Sequence, residues 1–453
     1  MPTPERVVDA MVDKLFDDSP PREESLILDP GCGSGAFVQG LIRWSRRHKV
    51  AVPGIVGIES DHKHIPEARR GAEGLSSISI LNEDFLDPRT ELFDYIIGNP
   101  PYVPITDLTV SERGKYRERY GTAKGRFDLY LLFYEQALRL LKPSGRLVFI
   151  TPEKFLYVRT AEPLRRALAR FTVEEIHLVD ETTFGDLVTY PAITTIVNTR
   201  ALTATRVILR DGSRREVRLP ADGTSWLPAI NGDSGPASEW TLADICRRIS
   251  CGVATGADAV FVTRTDGMPA NLKRFAFPTI AGREIRIGQA VCSSHSILVP
   301  YGANGDLLGE DQLGELGSYL SQPEQRGRLT RRTCVLHKPW YAFHETPPLN
   351  DILRPKILCK DIASQPFFLP DETGEIVPRH SVYYIVPKDP SQLPEICDYL
   401  NSPVARAWLK AHCQRAANGF LRLQSHVLKN TPVPSNLATA HPETLFAGVA
   451  ANR

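Results

Sequence analysis

The stretch SLILDPGCGSGAF, residues 25–37, decides the fold. An apolar run ends at Asp29-Pro30, gives way to glycines at 31, 33 and 35, and leads into FVQGLIRWSRRH (37–48), whose apolar residues fall at helical spacing. A strand that enters a helix through a glycine loop is the opening of a βαβ unit. Glycines let the backbone turn sharply and approach a ligand with no Cβ in the way. VPGIVGIES (52–60) reads as the next strand and ends on Glu59. An acidic side chain in that place can accept hydrogen bonds from two ribose hydroxyls. Gly31, Gly33, Gly35 and Glu59 together imply a nucleoside cofactor, where a lone glycine loop would imply only a packing turn. The spacing GxGxG, in place of GxGxxG, leans away from NAD and toward S-adenosylmethionine.

The same rhythm continues outward. HKHIPEARRGAE (62–73) reads as a helix, and SISILNEDFL (77–86) and LFDYIIGNPPY (92–102) as two strand-to-loop units. FDLYLLFYEQALRLL (127–141) is a strongly amphipathic helix, closed by KPSG before the strand RLVFITP (146–152). VEEIHLVDE (173–181) and PAITTIVNT (191–199) follow as strands, then a hairpin around Asp211-Gly212. This β-α-β-α order predicts a doubly wound α/β sheet with ligands at the carboxyl ends of its strands. LPAINGDSGPASEW (227–240) is rich in Pro, Gly and Ser, and the βα rhythm stops there. The expected organisation is a first domain over 1–225, a linker at 226–240, an α+β domain over 241–434 with helices near 391–413, and a tail at 435–453.

Composition sets outer limits. With 453 residues, 42% hydrophobic and 24% charged, the chain is an ordinary globular protein of two or three domains. The net charge of +1 neither demands nor excludes nucleic acid. The eight cysteines are scattered without CxxC pairs, so reduced thiols are expected and neither a disulfide frame nor a zinc site. No signal peptide or membrane-spanning run is read, which predicts a cytoplasmic protein, and without Cys/His ligand spacing no metal is expected. The histidines of DHKHIP (61–66) lack matching ligands, LRPKILCKD (353–361) lacks a preceding acidic partner for a nuclease lysine, and Cys32 is expected to fill space.

Two further motifs carry chemistry. Asp84-Phe85 ends the third strand, where a carboxylate can accept from an adenine amino group while an aromatic ring covers its face. Asn99-Pro100-Pro101-Tyr102 ends the fourth. Prolines stop the strand and fix the direction of what flanks them. An exocyclic amine on a nucleobase is a poor nucleophile because its lone pair is delocalised into the ring. It needs two acceptors to hold its N–H bonds, and the Asn99 side-chain oxygen and Pro100 main-chain carbonyl can supply them. Tyr102 offers a flat face on which the base can stack.

The ordered set TPERVVDAM (3–11), DPGCGSGAF (29–37), GIES (57–60), NEDF (82–85), DYIIGNPPY (94–102) and GRLVFITPEKFL (145–156) resembles the gamma-class N6-adenine DNA methyltransferases of type II restriction–modification systems. The resemblance covers roughly the first 200 residues. It implies a class I S-adenosylmethionine-dependent methyltransferase (Rossmann-like) domain followed by a target-recognition domain that binds double-stranded DNA. It also implies that Thr3 closes over the cofactor, Asp29 faces its methionine part, Glu59 its ribose, and Asp84 and Phe85 its adenine. Asn99, which borders the cofactor as well, would grip a flipped-out adenine with Pro100 and Tyr102, and Phe184 would stack on the other face of that base. A monomer is expected, paired with a separately encoded restriction endonuclease.

The second half is similar, more loosely, to target-recognition domains through GVATGADAVFV (252–262) and the stretch 399–434. Between them RGRLTRRTCVLHKPWY (326–341) interleaves Arg326, Arg328, Arg331, Arg332 and Lys338 with Trp340 and Tyr341, a mixture suited to phosphates and base edges. RGKYRERYGTAKGR (113–126) follows the Asn-Pro-Pro-Tyr motif, so Lys115, Arg117, Lys124 and Arg126 are expected to contact DNA. Two other readings share the motif: a methyltransferase of a protein glutamine, as in release-factor modification, and an RNA base methyltransferase. Both are disfavoured by the N-terminal motif and the long segment after the catalytic domain. A non-catalytic DNA-binding subunit is disfavoured by the intact Asn99, Tyr102, Glu59 and glycine loop.

Overall fold

A computed structural model describes residues 3–17, 20–180, 190–200, 204–232, 238–289, 293–302, 304–416 and 419–438. The chain divides into two compact units, Met1–Gly232 and Asp233–Arg453.

The first unit is a nine-stranded sheet in the order β3-β2-β1-β4-β5-β7-β6-β8-β9. Its strands are β1 (Leu26–Pro30), β2 (Gly54–Glu59), β3 (Ile78–Asn82), β4 (Phe93–Gly98), β5 (Leu141–Pro152), β6 (Thr172–Leu178), β7 (Pro191–Val197), β8 (Thr205–Ile208) and β9 (Arg214–Val217). Strands β1 to β5 are mutually parallel, β7 runs antiparallel between β5 and β6, and β8–β9 is the expected hairpin. The sheet is the doubly wound α/β sheet that the sequence predicts. Chain order reverses between β1 and β4, which opens a crevice at their carboxyl ends.

Alternation along each strand sends residues to two cores. Ile27, Ile97, Val148 and Ile150 pack on one face with α1 (Glu5–Phe16) and α2 (Ala36–His48). Leu28, Ile96, Leu147 and Phe149 pack on the other with α5 (Leu129–Leu140), which is buried nearly all round. The remaining helices are α3 (Ile65–Gly71), α4 (Val110–Arg119), α6 (Glu162–Leu168) and α7 (Leu227–Asn231). Helix α1 buries Val8, Met11, Val12 and Leu15 as one stripe, and a Cβ at Gly40 of α2 would run into Val8.

Two boundaries differ from the sequence expectation. Strand β5 starts at Leu141, with Ser144 inside it at a left-handed φ of 61°, so KPSG belongs to the strand. Residues 226–231, read as the start of a linker, pack into the first unit: Trp226 and Ile230 are fully buried, and the Trp226 indole donates to the Pro220 carbonyl at 2.9 Å. Arg165 holds this segment by donating to the carbonyls of Gly223 and Thr224, and to those of Phe155 and Val158.

The second unit has three small sheets. Cys246–Cys251, Val382–Pro387, Lys356–Lys360 and Phe368–Asp371 form an antiparallel sheet in that order. Val262–Arg264, His295–Leu298, Ala276–Ile280 and Val377–Pro378 form a second, and Ile362–Ala363, Leu421–Arg422 and Gln414–Arg415 a third. Helices Leu393–Asn401 and Pro403–His412 lie where helical segments were expected. Lys356 is fully buried against Asp371, so this lysine is structural. The expected loose tail begins with a helix, Ser435–Ala438, whose Leu437 is buried.

Candidate functional site

The site is assembled where β1, β2 and β4 end. Gly31, Gly33 and Gly35 carry φ values of 71°, 53° and 89°, the left-handed region that residues with a Cβ rarely adopt. The loop is tied to β2, with the N–H groups of Gly31 and Cys32 donating to the Ile58 carbonyl at 2.7 and 3.0 Å. The Gly33 N–H donates to Glu59 Oε2 at 2.9 Å, and the Asp61 N–H donates to Oε1 at 2.8 Å. Glu59 therefore braces the loop it was expected to serve. Cys32 fills the space beside Gly57, where a Cβ would meet its sulfur at 3.1 Å, and burial pushes its thiol well up.

Asp29 is fully buried, and neither carboxylate oxygen has a hydrogen-bond partner among the described residues. Burial, and after it the charge of Glu59, holds its carboxyl well above the usual range. Acceptors left unpaired at such depth fit a ligand group that brings its own donors or positive charge. Gly98 keeps the two strand ends close: a Cβ there would stand 3.3 Å from the Pro30 carbonyl and 3.4 Å from Asp29 Oδ1.

Asn99 follows directly. Its amide nitrogen donates to Thr3 Oγ1 at 3.1 Å, while its Oδ1 is buried without a partner among the described residues. Pro100 is buried, and Tyr102 is half-buried with its ring edge-on to Tyr130 at 6.3 Å. The Tyr102 hydroxyl donates to the Ile150 carbonyl at 3.4 Å, and burial raises its phenol. Asp128, which the sequence reading passed over, is bridged through its backbone to Pro104 just beyond the motif, and burial raises its carboxyl. Phe184 lies outside the described residues.

The adenine end is more occupied than expected. Asp84 accepts from the Leu86 N–H at 2.9 Å, the Tyr116 hydroxyl at 3.2 Å and Lys115 Nζ at 3.3 Å. Phe85 is buried, with its ring tilted against Phe133 at 5.0 Å. Tyr116 and Lys115 come from α4, which starts with a capping box in which Thr109 and Glu112 satisfy each other's backbone N–H. Lys115 also bonds Asp87 at 2.7 Å, an ion pair that raises its ammonium and lowers that carboxyl. Lys115, expected to contact DNA, is thus held by two acids. Arg117, Lys124 and Arg126 are exposed.

The run at 326–341 divides likewise. Arg332 donates to the carbonyls of Leu329, Thr255 and Trp340 at 3.0, 2.7 and 2.6 Å, and Lys338 donates to the His344 carbonyl at 3.0 Å. Arg328 pairs with Glu324 one turn away, and Arg326 lies over the Trp340 ring at 4.6 Å. Arg331 is exposed. Of the cations expected to contact DNA here, Arg332 and Lys338 are engaged by main-chain carbonyls, whereas Arg326, Arg328 and Arg331 are exposed. Among the described residues no group of His, Cys, Asp and Glu is placed to hold a metal, and no helix is long and apolar enough to cross a membrane.

Residues 62–184 match the Eco57I restriction-modification methylase family. The chain is 28% identical to the Type II methyltransferase M.PaeR7I of Pseudomonas aeruginosa, over 95% of this chain and 85% of that one. It is 27% identical to the Type II methyltransferase M.XhoI of Xanthomonas vasicola, over 81% of this chain and 73% of that one. In three dimensions it is similar to the Type IIL restriction-modification enzyme MmeI, solved in complex with DNA, with a TM-score of 0.67 at 13% identity. That match covers 94% of this chain and spans about 64% of MmeI.

Proposed function

We propose that this chain is a methylase of a type II restriction–modification system, which methylates the N6 amino group of an adenine turned out of double-stranded DNA; its likeness to the Eco57I methylase family and to M.PaeR7I and M.XhoI supports the reading. The observation that carries this reading is Asn99 Oδ1: a buried acceptor without a partner among the described residues, at the end of β4. The Pro100 carbonyl follows it in a backbone made rigid by two prolines. Together they accept the two N–H bonds of the target amine and draw its nitrogen toward a tetrahedral, nucleophilic form. Tyr102 stacks on the base.

The residues of the crevice fit S-adenosylmethionine, whose bound sulfonium supplies an electrophilic methyl group. The unpaired carboxylate of Asp29 receives the methionine part, with Thr3 beside it, and Glu59 receives the ribose. Asp84 and Phe85 border the adenine, and Gly31, Gly33 and Gly35 let the backbone approach. The methylated nitrogen, now cationic, releases a proton to solvent, so this chain needs no strong base.

Arg117, Lys124, Arg126, Arg328 and Arg331 are exposed cations that would neutralise phosphates, with the second unit reading the recognition sequence. The chain would act as a monomer beside a separately encoded nuclease. The test is transfer from labelled S-adenosylmethionine to unmethylated genomic DNA, followed by nucleoside analysis. N6-methyladenine is expected. Label on a cytosine would overturn the base assignment, and label only in RNA or in a release factor would overturn the substrate.

A further inference from the structure

The Thr3 hydroxyl lies 3.1 Å from the Asn99 amide nitrogen, and the two residues are 96 positions apart in the chain. We propose that Thr3 is the positioning residue that sets the carboxamide plane of Asn99, and so the direction in which its oxygen meets the target amine. The proposal rests on the reading of Asn99 given above and assigns Thr3 a task beyond closing over the cofactor.

Pro100 and Pro101 fix the backbone beside Asn99, so its side-chain torsions carry the remaining freedom. The terminal torsion of an asparagine joins an sp³ to an sp² carbon, and its energy profile is broad. An acceptor aimed at a reacting nitrogen must be held to a narrow range of directions, since misalignment weakens a hydrogen bond steeply. Asn99 Oδ1 has no partner among the described residues to hold it. The hydrogen bond that pins the amide is the one its nitrogen donates to Thr3 Oγ1.

Thr3 is well placed to do this. It is only 7% exposed, and its branched Cβ restricts its own rotamer. It stands immediately before Pro4, the N-cap of α1, whose carbonyl accepts from the N–H groups of Val7 and Val8 at 2.9 and 3.0 Å. Helix α1 is in turn seated against α2 through Val8 and Gly40. The hydroxyl therefore projects from a helix start that is locked to the core, and the amide inherits that rigidity. With its nitrogen engaged by Thr3, the amide presents its oxygen to a target amine that has only donors to offer.

Thr3→Val keeps the shape of the side chain and removes the hydroxyl, whereas Thr3→Ser keeps the hydroxyl. Steady-state kinetics on cognate DNA, with cofactor affinity measured by calorimetry, separates the possibilities. Thr3→Val should lower kcat about ten-fold or more while both KM values and the cofactor Kd move less than about two-fold, and Thr3→Ser should restore most of the activity. In an Asn99→Ala background the valine should cost nothing further, because the group it orients is gone. Weaker cofactor binding at unchanged kcat would return Thr3 to the cofactor site and overturn the proposal. Equal losses in the valine and serine variants would mean packing alone and would also overturn it. If Asn99→Ala itself retains full turnover, the reading of Asn99 fails, and that result is distinct from a failure of Thr3.

Discussion

Glu59 accepts the Gly33 N–H at 2.9 Å, so one carboxylate both braces the glycine loop and faces the crevice that the loop encloses. Removing it should loosen the loop and, on the function proposed above, delete a ribose acceptor as well. Glu59→Ala is expected to weaken S-adenosylmethionine binding by roughly ten- to hundred-fold, the scale of one or two charge-assisted hydrogen bonds. Calorimetric titration checks this. An unchanged affinity would remove Glu59 from the cofactor site.

Asp29 gives a pH prediction with a definite sign. Its folded-state carboxyl is raised above the ordinary value by burial first and by Glu59 second. A raised carboxyl contributes stability that is present below its unfolded value of about 3.9 and is lost as pH rises through the folded value. Asp29→Asn removes a buried ionisable group, so the cofactor-free protein should become more stable at neutral pH by roughly 1–3 kcal/mol. The advantage should shrink toward zero as pH approaches about 4. The same variant should bind S-adenosylmethionine more weakly, because a carboxamide cannot match a carboxylate as partner for a positive group. Thermal melting across pH, with and without cofactor, tests both halves; a destabilised variant at neutral pH would contradict the first.

Lys115 and its neighbours should separate cleanly. Lys115 is engaged by Asp84 and Asp87, whereas Arg117, Lys124 and Arg126 are exposed. Replacing those three together by alanine should reduce the salt slope of DNA binding by about 0.9 for each phosphate that is no longer neutralised. Lys115→Ala should leave the slope in place and instead cost up to about 1 kcal/mol of stability, as expected for a partly exposed ion pair. A steeper effect from Lys115 than from the triple variant would reverse the assignment.

Arg331 and Arg332 are adjacent and should behave oppositely. Arg332 donates to three main-chain carbonyls, so Arg332→Ala strands acceptors in the fold and should cost roughly 2–4 kcal/mol. Arg331→Ala should leave melting unchanged and lower the salt slope by about 1. Melting curves and fluorescence-anisotropy titrations at three salt concentrations decide it.

These contrasts also mark how far the sequence could be read. The strand-to-loop units were legible because each is local: an apolar run, a glycine or proline, and a polar side chain within a few residues. Asp29, Glu59 and Asn99 stand at strand ends as that pattern requires. What the sequence hides is long-range pairing. A basic run displays its charges but not the carbonyls that absorb them, so Arg331 and Arg332 look alike until Thr255 and Trp340 are in place. Asp84 looked open for an adenine because nothing nearby announces Tyr116 and Lys115, more than thirty positions away. The apparent linker at Trp226 misled for a related reason: its proline and glycine content is that of a loop, yet one indole decides where the segment packs.

The separateness of the cores has a bearing on descent. The first unit builds its interior from Val7 to Ile230, and the second from Leu242 to Leu437. On the division of labour proposed above, a lineage can rewrite the address that the second unit reads without repacking the chemistry of the first. Selection would then act on the two at different tempos, with sites diversifying quickly while Asn99 and the residues around it stay fixed.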